Sequence, residues 1–170
     1  MGSSSFNPNE PGIVERTVAA VHRSAPLGVG TTDLGVNGTQ FARVPRFDDS
    51  RGSLVVNASG GDLPFTPCRI FQVFNVPVGE MRGDHAHRRC HQYLIASHGV
   101  VDVVVDDGAR RVKITLDCPE LGLHIPPLTW GIQSRFSPDA LLLVLASEPY
   151  DRAEYITDYG EFLHLRRSRA

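Results

Sequence analysis

At 170 residues the chain is long enough for one domain with a hydrophobic core of its own. With 17 Lys and Arg against 19 Asp and Glu, its net charge of −2 argues against a protein that as a whole binds nucleic acid or a membrane surface. Three cysteines (Cys68, Cys90 and Cys118), odd in number and without CxxC spacing, indicate neither a disulfide framework nor a zinc ribbon. With no signal peptide and no long apolar span, the expected location is cytoplasmic. Lys113 is the only lysine. The arginine surplus suits bidentate recognition of phosphate or carboxylate, and codon usage explains it equally well.

In chain order, Met1–Gly12 is rich in Ser, Asn, Pro and Gly and is expected to be disordered. Periodicity leaves Ile13–Arg23 open as a short strand or a helix. Pro26–Gly38, with four glycines and paired threonines, reads as a linker. Residues 1–38 are therefore a flexible N-terminal segment and linker, and 39–165 the folded domain. From Thr39 onward, short apolar or alternating runs recur about every ten residues between turn signals. They are Phe41–Pro45, Ser53–Asn57, Arg69–Val76, Tyr93–Ser97, Val100–Val105, Val112–Thr115, Gly122–Ile125 and Leu141–Ala146. That cadence predicts an antiparallel sandwich or small barrel. Asp106-Asp107-Gly108 between two valine-rich runs predicts a hairpin. Asp151-Arg-Ala-Glu154 has capping-box spacing ahead of Tyr155, Ile156, Tyr159, Phe162 and Leu163, so a terminal amphipathic helix is expected, closed by a solvated basic tail, Arg166-Arg167-Ser168-Arg169.

One stretch stands apart: Gly79-Glu-Met-Arg-Gly-Asp-His85-Ala-His87-Arg-Arg-Cys-His91-Gln92. In a strand, residues i and i+2 share a face, so His85 and His87 present two imidazoles side by side. Such a pair can hold a metal, or act as acid and base near neutral pH. The spacing resembles the first motif of the cupin superfamily, with Gly79, His85, His87 and Gly99 in register and Gln92 where a glutamate ligand is usual. The second motif of metal-binding cupins supplies a histidine. The corresponding stretch here, Ile125-Pro-Pro-Leu-Thr-Trp130-Gly131, has none. His91 and His124 are the other nitrogens that a metal site would have to use.

A more specific resemblance covers Val36 to Phe162. Arg51-Gly-Ser-Leu54, Arg82-Gly-Asp-His85-Ala-His87-Arg-Arg-Cys-His91-Gln92, Val105-Asp-Asp-Gly108, Pro126-Pro-Leu-Thr-Trp130 and Leu145-Ala-Ser-Glu-Pro-Tyr150-Asp resemble the sugar 3,4-ketoisomerase family, also called WxcM-like or FdtA-like. The resemblance implies an all-β fold, a cupin-type antiparallel double-stranded β-helix (jelly-roll) barrel with a short C-terminal helix. It implies conversion of a dTDP-linked 4-keto-6-deoxy sugar to the 3-keto sugar, without metal or cofactor, by a homodimer with exchanged N-terminal strands. His85 and His87 correspond to the family's catalytic histidines, and Arg51 and Arg82 to arginines near its nucleotide diphosphate. The chain departs from many members in having Trp130-Gly131 where Trp-His is common, and Phe71-Gln72 where tyrosine is common. Gln133 is a candidate to replace the lost polar group, and His91 a further substrate contact.

The residues fit that chemistry on their own terms. Moving a ketone from C4 to C3 means removing the C3 proton, which the neighbouring carbonyl acidifies, and returning a proton to C4. Two imidazoles of ordinary pKa about 6.5 on one face are a suitable pair. Arg82 and Gln92 are candidate donors to the developing oxyanion. Trp130 either stacks on the substrate or packs in the barrel. Two other readings remain open: a metal-dependent dioxygenase or epimerase-like enzyme using His85, His87 and His91, and a non-catalytic sugar-nucleotide-binding protein.

Overall fold

The structure, a computed structural model, describes residues 30–169. The expectations for Met1–Gly12 and Ile13–Arg23 lie outside the described residues. Among the described residues, thirteen strands and one α-helix follow in order. Six strands form one antiparallel sheet: β1 (Gly30–Asp33), β2 (Gln40–Arg43), β10 (Leu121–Ile125), β7 (Gln92–His98), β12 (Leu141–Ala146) and β5 (Arg69–Phe74), neighbours in that order. Five form the facing sheet: β13 (Tyr155–Ile156), β6 (Arg82–His87), β11 (Trp130–Ser134), β8 (Val101–Asp106) and β9 (Arg111–Leu116). A separate hairpin pairs β3 (Arg46–Asp49) with β4 (Gly52–Val55).

The main core lies between the sheets and takes alternate residues from each strand: Leu94 and Ala96 from β7, Val101, Val103 and Val105 from β8, Leu121, Leu123 and Ile125 from β10. The outer faces are covered too. Tyr93, Ile95 and Leu145 pack beneath Leu63 and Phe65. Val104, Trp130 and Ile132 pack beneath Phe162 of the helix α1 (Tyr159–Arg167). Strands buried on both faces read as continuous apolar runs, which is why β7, β8 and β12 were visible in the sequence. The hairpin between β8 and β9 forms as expected, with Asp106 opposite Arg111 and the Asp107 carboxylate accepting from the Ala109 and Arg110 amides. No helix among the described residues is long and apolar enough to cross a membrane.

Three expectations are corrected. Residues 30–38 are not linker: β1 pairs along β2, and Val36 is fully buried. The Asn37 amide donates to Pro127 O (2.8 Å) and Thr129 Oγ1 (2.8 Å), tying this turn to the loop before β11. The helix begins at Tyr159 rather than after Asp151. Asp151 caps only a 3-10 turn, Arg152–Glu154, whereas Asp158 accepts from the Glu161 amide and starts α1. Between them Tyr155 and Ile156 pair with His87 and Ala86, and that ladder overrides the helical spacing. Arg166 is no solvated tail residue either; it donates to Asn37 Oδ1 (2.6 Å) and the Asp107 carbonyl (3.1 Å).

Candidate active site

The site is organised by a bulge in β6. Gly131 of β11 lies opposite His85 and Ile132 opposite Gly83, so Asp84 is the extra residue between them. Gly83 has φ +78°, and a Cβ there would stand 2.7 Å from the Gly131 carbonyl oxygen, so the position admits only glycine. Asp84 takes the left-handed φ of +57°. Its carboxylate faces outward and accepts from Trp130 Nε1 (3.1 Å). The bulge turns the Gly83 carbonyl towards His85 Nδ1, which donates to it at 2.9 Å.

That bond fixes the His85 tautomer, because a carbonyl can only accept. In neutral His85 the hydrogen sits on Nδ1 and a lone pair on Nε2. Nε2 of His85 faces Nε2 of His87 at 3.1 Å, with the rings 83° apart, and the Gln92 amide reaches the same His87 nitrogen at 3.1 Å. Gln92 Nε2 can only donate, so in the neutral pair His87 Nε2 keeps a lone pair for it and the His87 hydrogen sits on Nδ1. His87 Nδ1 is buried without a partner. Adding one proton converts His85 to an imidazolium that donates to His87. The pair thus exchanges a single proton across one short contact.

Burial lowers the pKa of both groups. For His85 the Gly83 carbonyl and the Asp84 carboxylate partly oppose it. For His87, burial with His85 and Arg69 as positive neighbours pushes the value down to about 3. Both rings are therefore neutral near pH 7. Tyr155 closes one side, its ring centroid 4.9 Å from that of His85 and 4.5 Å from that of His87. Gln92, Gly131, Gln133, Thr129 and Cys90 line the remaining cavity.

The structure therefore brings His85, His87, Gln92 and Gln133 together, and it places His91, Trp130, Arg82 and Arg51 outside this cavity's lining. His91 is not in the cavity. β6 ends at His87, and buried Glu154 accepts from the Arg89 and Cys90 amides, fixing the turn that leads into β7. With Gln92 inward, His91 falls on the outer side, where it stacks on His124 at 8° with Nδ1 and Nε2 2.9 Å apart. A metal set of His85, His87 and His91 is thus not assembled; the two inward imidazoles have an amide and a glycine where a carboxylate and a histidine would complete it. Trp130 is outward as well, at the edge of Tyr159 and beside Phe162, and holds the bulge through Asp84. Arg82 is exposed at the rim, opposite Gln133 in the ladder. Arg51, with its side chain 88% exposed, pairs with Asp49 at the tip of the β3–β4 hairpin and does not reach its own chain's cavity.

Sequence reasoning missed Tyr155, Asp84 and Arg69. Asp84 had a signal in the Gly-Asp dipeptide, a turn or bulge pair immediately before the histidines.

Fold and site together define a cupin-type barrel with two facing imidazoles in its cavity. Residues 37–167 match the family FdtA, described as WxcM-like, C-terminal. The chain is 40% identical over 114 residues to TDP-4-oxo-6-deoxy-alpha-D-glucose-3,4-oxoisomerase of Aneurinibacillus thermoaerophilus, covering 67% of this chain and 82% of that one. Among solved structures, the WlaRB TDP-quinovose 3,4-ketoisomerase of Campylobacter jejuni superposes with a TM-score of 0.73 at 36% identity, over 76% of this chain and 99% of that one. A mutant of the QdtA 3,4-ketoisomerase of Thermoanaerobacterium thermosaccharolyticum, in complex with TDP-4-keto-6-deoxyglucose, gives 0.76 at 30% identity over 79% and 97%. The chain belongs to this FdtA, WxcM-like family of sugar 3,4-ketoisomerases, and it is an isomerase.

Proposed function

We propose that the chain converts a dTDP-4-keto-6-deoxyhexose to its 3-keto isomer by metal-independent acid–base catalysis, as a step in deoxysugar biosynthesis. The observation that carries this is the pair of facing Nε2 atoms of His85 and His87, 3.1 Å apart and both neutral, in the cavity between the sheets. A neutral imidazole takes the C3 proton, and the electron pair forms a C3=C4 bond as the carbonyl pair moves to O4. The abstracted proton crosses the contact to His85 Nε2, which returns it to C4 while the O3 hydrogen passes to O4, leaving the ketone at C3 and both imidazoles neutral again. His87 is assigned as the base and His85 as the acid. The relatives named above act on or bind TDP-linked sugars, which favours that nucleotide.

Arg82, at the rim opposite Gln133, is proposed as a diphosphate contact. Arg51 belongs to the proposed dimer. The β3–β4 hairpin stands apart with Phe47 57% and Leu54 59% exposed, and the outer side of edge strand β5 shows Ile70 and Phe74. An exchange of N-terminal strands between two copies would cover such surfaces and carry Arg51 towards the second copy's cavity.

The test is proton NMR of TDP-4-keto-6-deoxyglucose with the purified protein in D₂O, with and without EDTA. A 3-keto product carrying deuterium, formed equally in chelator, is expected. Activity lost to EDTA and restored by a transition metal would refute the metal-independent mechanism.

A further inference from the structure

Arg69 opens β5 and faces inward, as Phe71 and Val73 of the same strand do when they pack against the main core. Across the sheet it lies opposite Ala146, which in turn lies opposite Gln92. Arg69, Ala146 and Gln92 thus form one inward row about 10 Å long, since neighbouring strands lie about 4.8 Å apart. Ala146 carries only a methyl group, so nothing bulky separates the arginine from the end of the row that touches His87. The guanidinium is held between two rings, 5.3 Å from the centroid of Phe71 and 5.6 Å from that of Tyr150. Its Nε is buried and has no hydrogen-bond partner.

A structural arginine at such a place would be neutralised by a carboxylate. Among the described residues none pairs with Arg69, whereas the other arginines near buried acids do pair, such as Arg111 with Asp106 and Arg89 with Glu154. The cation instead acts on the catalytic pair, being one of the positive neighbours that hold His87 neutral. A half-buried cation that is restrained by aromatic rings, keeps a free donor and heads the row that ends at Gln92 beside the base is arranged for an anion that exists only while a substrate is bound.

We propose that Arg69 is the oxyanion-stabilising residue of the isomerisation, its guanidinium pairing with the negative charge on the substrate's O4 once the C3 proton has left. This rests on the ketoisomerase reading above. When His87 takes the C3 proton, the enolate charge appears at O4, and a fixed N–H donor there stabilises the transition state without reorganising. Gln92 supplies the uncharged partner at the other end of the row. The same cation keeps His87 unprotonated before substrate arrives, so one residue both readies the base and receives the charge that the base creates.

Arg69→Gln and Arg69→Lys, compared with wild type on TDP-4-keto-6-deoxyglucose, test this with TDP binding by calorimetry as a second readout. Arg69→Gln is expected to lower kcat on the order of 10²–10³-fold, the usual cost of losing one oxyanion donor. Its affinity for TDP, which lacks the sugar, should be unchanged. The acid limb of its pH–rate profile should move to higher pH, because His87 loses a repelling cation. Arg69→Lys, which keeps the charge and the packing stem, should recover part of kcat and serves as the test if the glutamine variant does not fold. Wild-type kcat in both variants, or weakened TDP binding with kcat intact, would overturn the proposal; the latter result would make Arg69 a diphosphate clamp. A wild-type protein that leaves the keto sugar unchanged would overturn the functional reading itself, whatever the variants do.

Discussion

Gly131 stands directly opposite His85 across the β6–β11 ladder, and a Cβ placed on it would meet nothing nearer than Ile125 Cδ1 at 3.7 Å. The opposite holds at Gly83, two residues before His85, where φ is +78° and the added carbon would press on a backbone oxygen. Gly131→Ala should therefore fold normally, with stability unchanged or raised by about 0.4–1 kcal/mol from the lost freedom of the unfolded chain. Gly83→Ala should lose more than about 1–2 kcal/mol, the cost of a left-handed alanine before any clash, and should disturb the His85 tautomer with it. Urea denaturation of the two variants decides this; equal stabilities would mean that the bulge does not constrain the site.

The histidine pair makes a sharper demand. His85→Asn and His87→Asn should each reduce turnover on the order of 10²–10⁴-fold while leaving TDP binding nearly intact, since asparagine keeps a polar side chain but cannot titrate. The two should also differ in isotope exchange. Without the base, His87, no deuterium should enter C3. Without the acid, His85, C3 exchange should persist while product fails to form. Wild-type turnover in both variants would remove the pair from the mechanism.

Trp130 separates a structural role from a substrate-stacking one. Its indole is on the outer face of β11, packed with Tyr159 and Phe162, and its N–H is spent on Asp84. Trp130→Phe should cost about 1–3 kcal/mol of stability through the lost bond and the space left behind. TDP affinity should not change. A large loss of TDP affinity in a folded variant would place the ring against the nucleotide after all.

Much of this was legible in the chain, for physical reasons that differ by element. β7, β8 and β12 are covered on both faces, so burial wrote itself into the sequence as continuous apolar runs. The Asp107-Gly108 turn carries its own chemistry. The facing of His85 and His87 needed only the two-residue period of a strand and the spacing of the motif. β11 was missed because Gly131 and Gln133 face a cavity and break the apolar signal, and with β11 unseen the outward face of Trp130 could not be read. His91 was misplaced because its direction is set by Glu154, more than sixty residues away in the chain, through a turn that no local pattern announces. Arg69 stood at the head of a correctly predicted strand. Its relation to Gln92 exists only through the register of two intervening ladders.

The outer histidine pair gives the last prediction, one that concerns stability alone. His124 is buried beneath Phe65 with its Nδ1 unpartnered, and burial together with the neighbouring His91 lowers its pKa to about 4; burial lowers that of His91 too. The unfolded chain binds these protons near the ordinary value of about 6.5. The folded state therefore holds fewer protons between about 6.5 and the lowered values, and its stability, fully present above that window, falls as the pH drops through it. Each such histidine contributes a slope of at most about 1.4 kcal/mol per pH unit. His87, lowered by the same burial, adds to the total. In His124→Asn the slope of unfolding free energy between about pH 6 and 4.5 should drop by close to one proton's worth. Turnover near neutral pH should stay at the wild-type level, because this cluster lies on the far side of the six-stranded sheet from the cavity. Urea titrations at a series of pH values check the first expectation. An unchanged slope would mean that His124 takes up its proton in the folded state as readily as in the unfolded one.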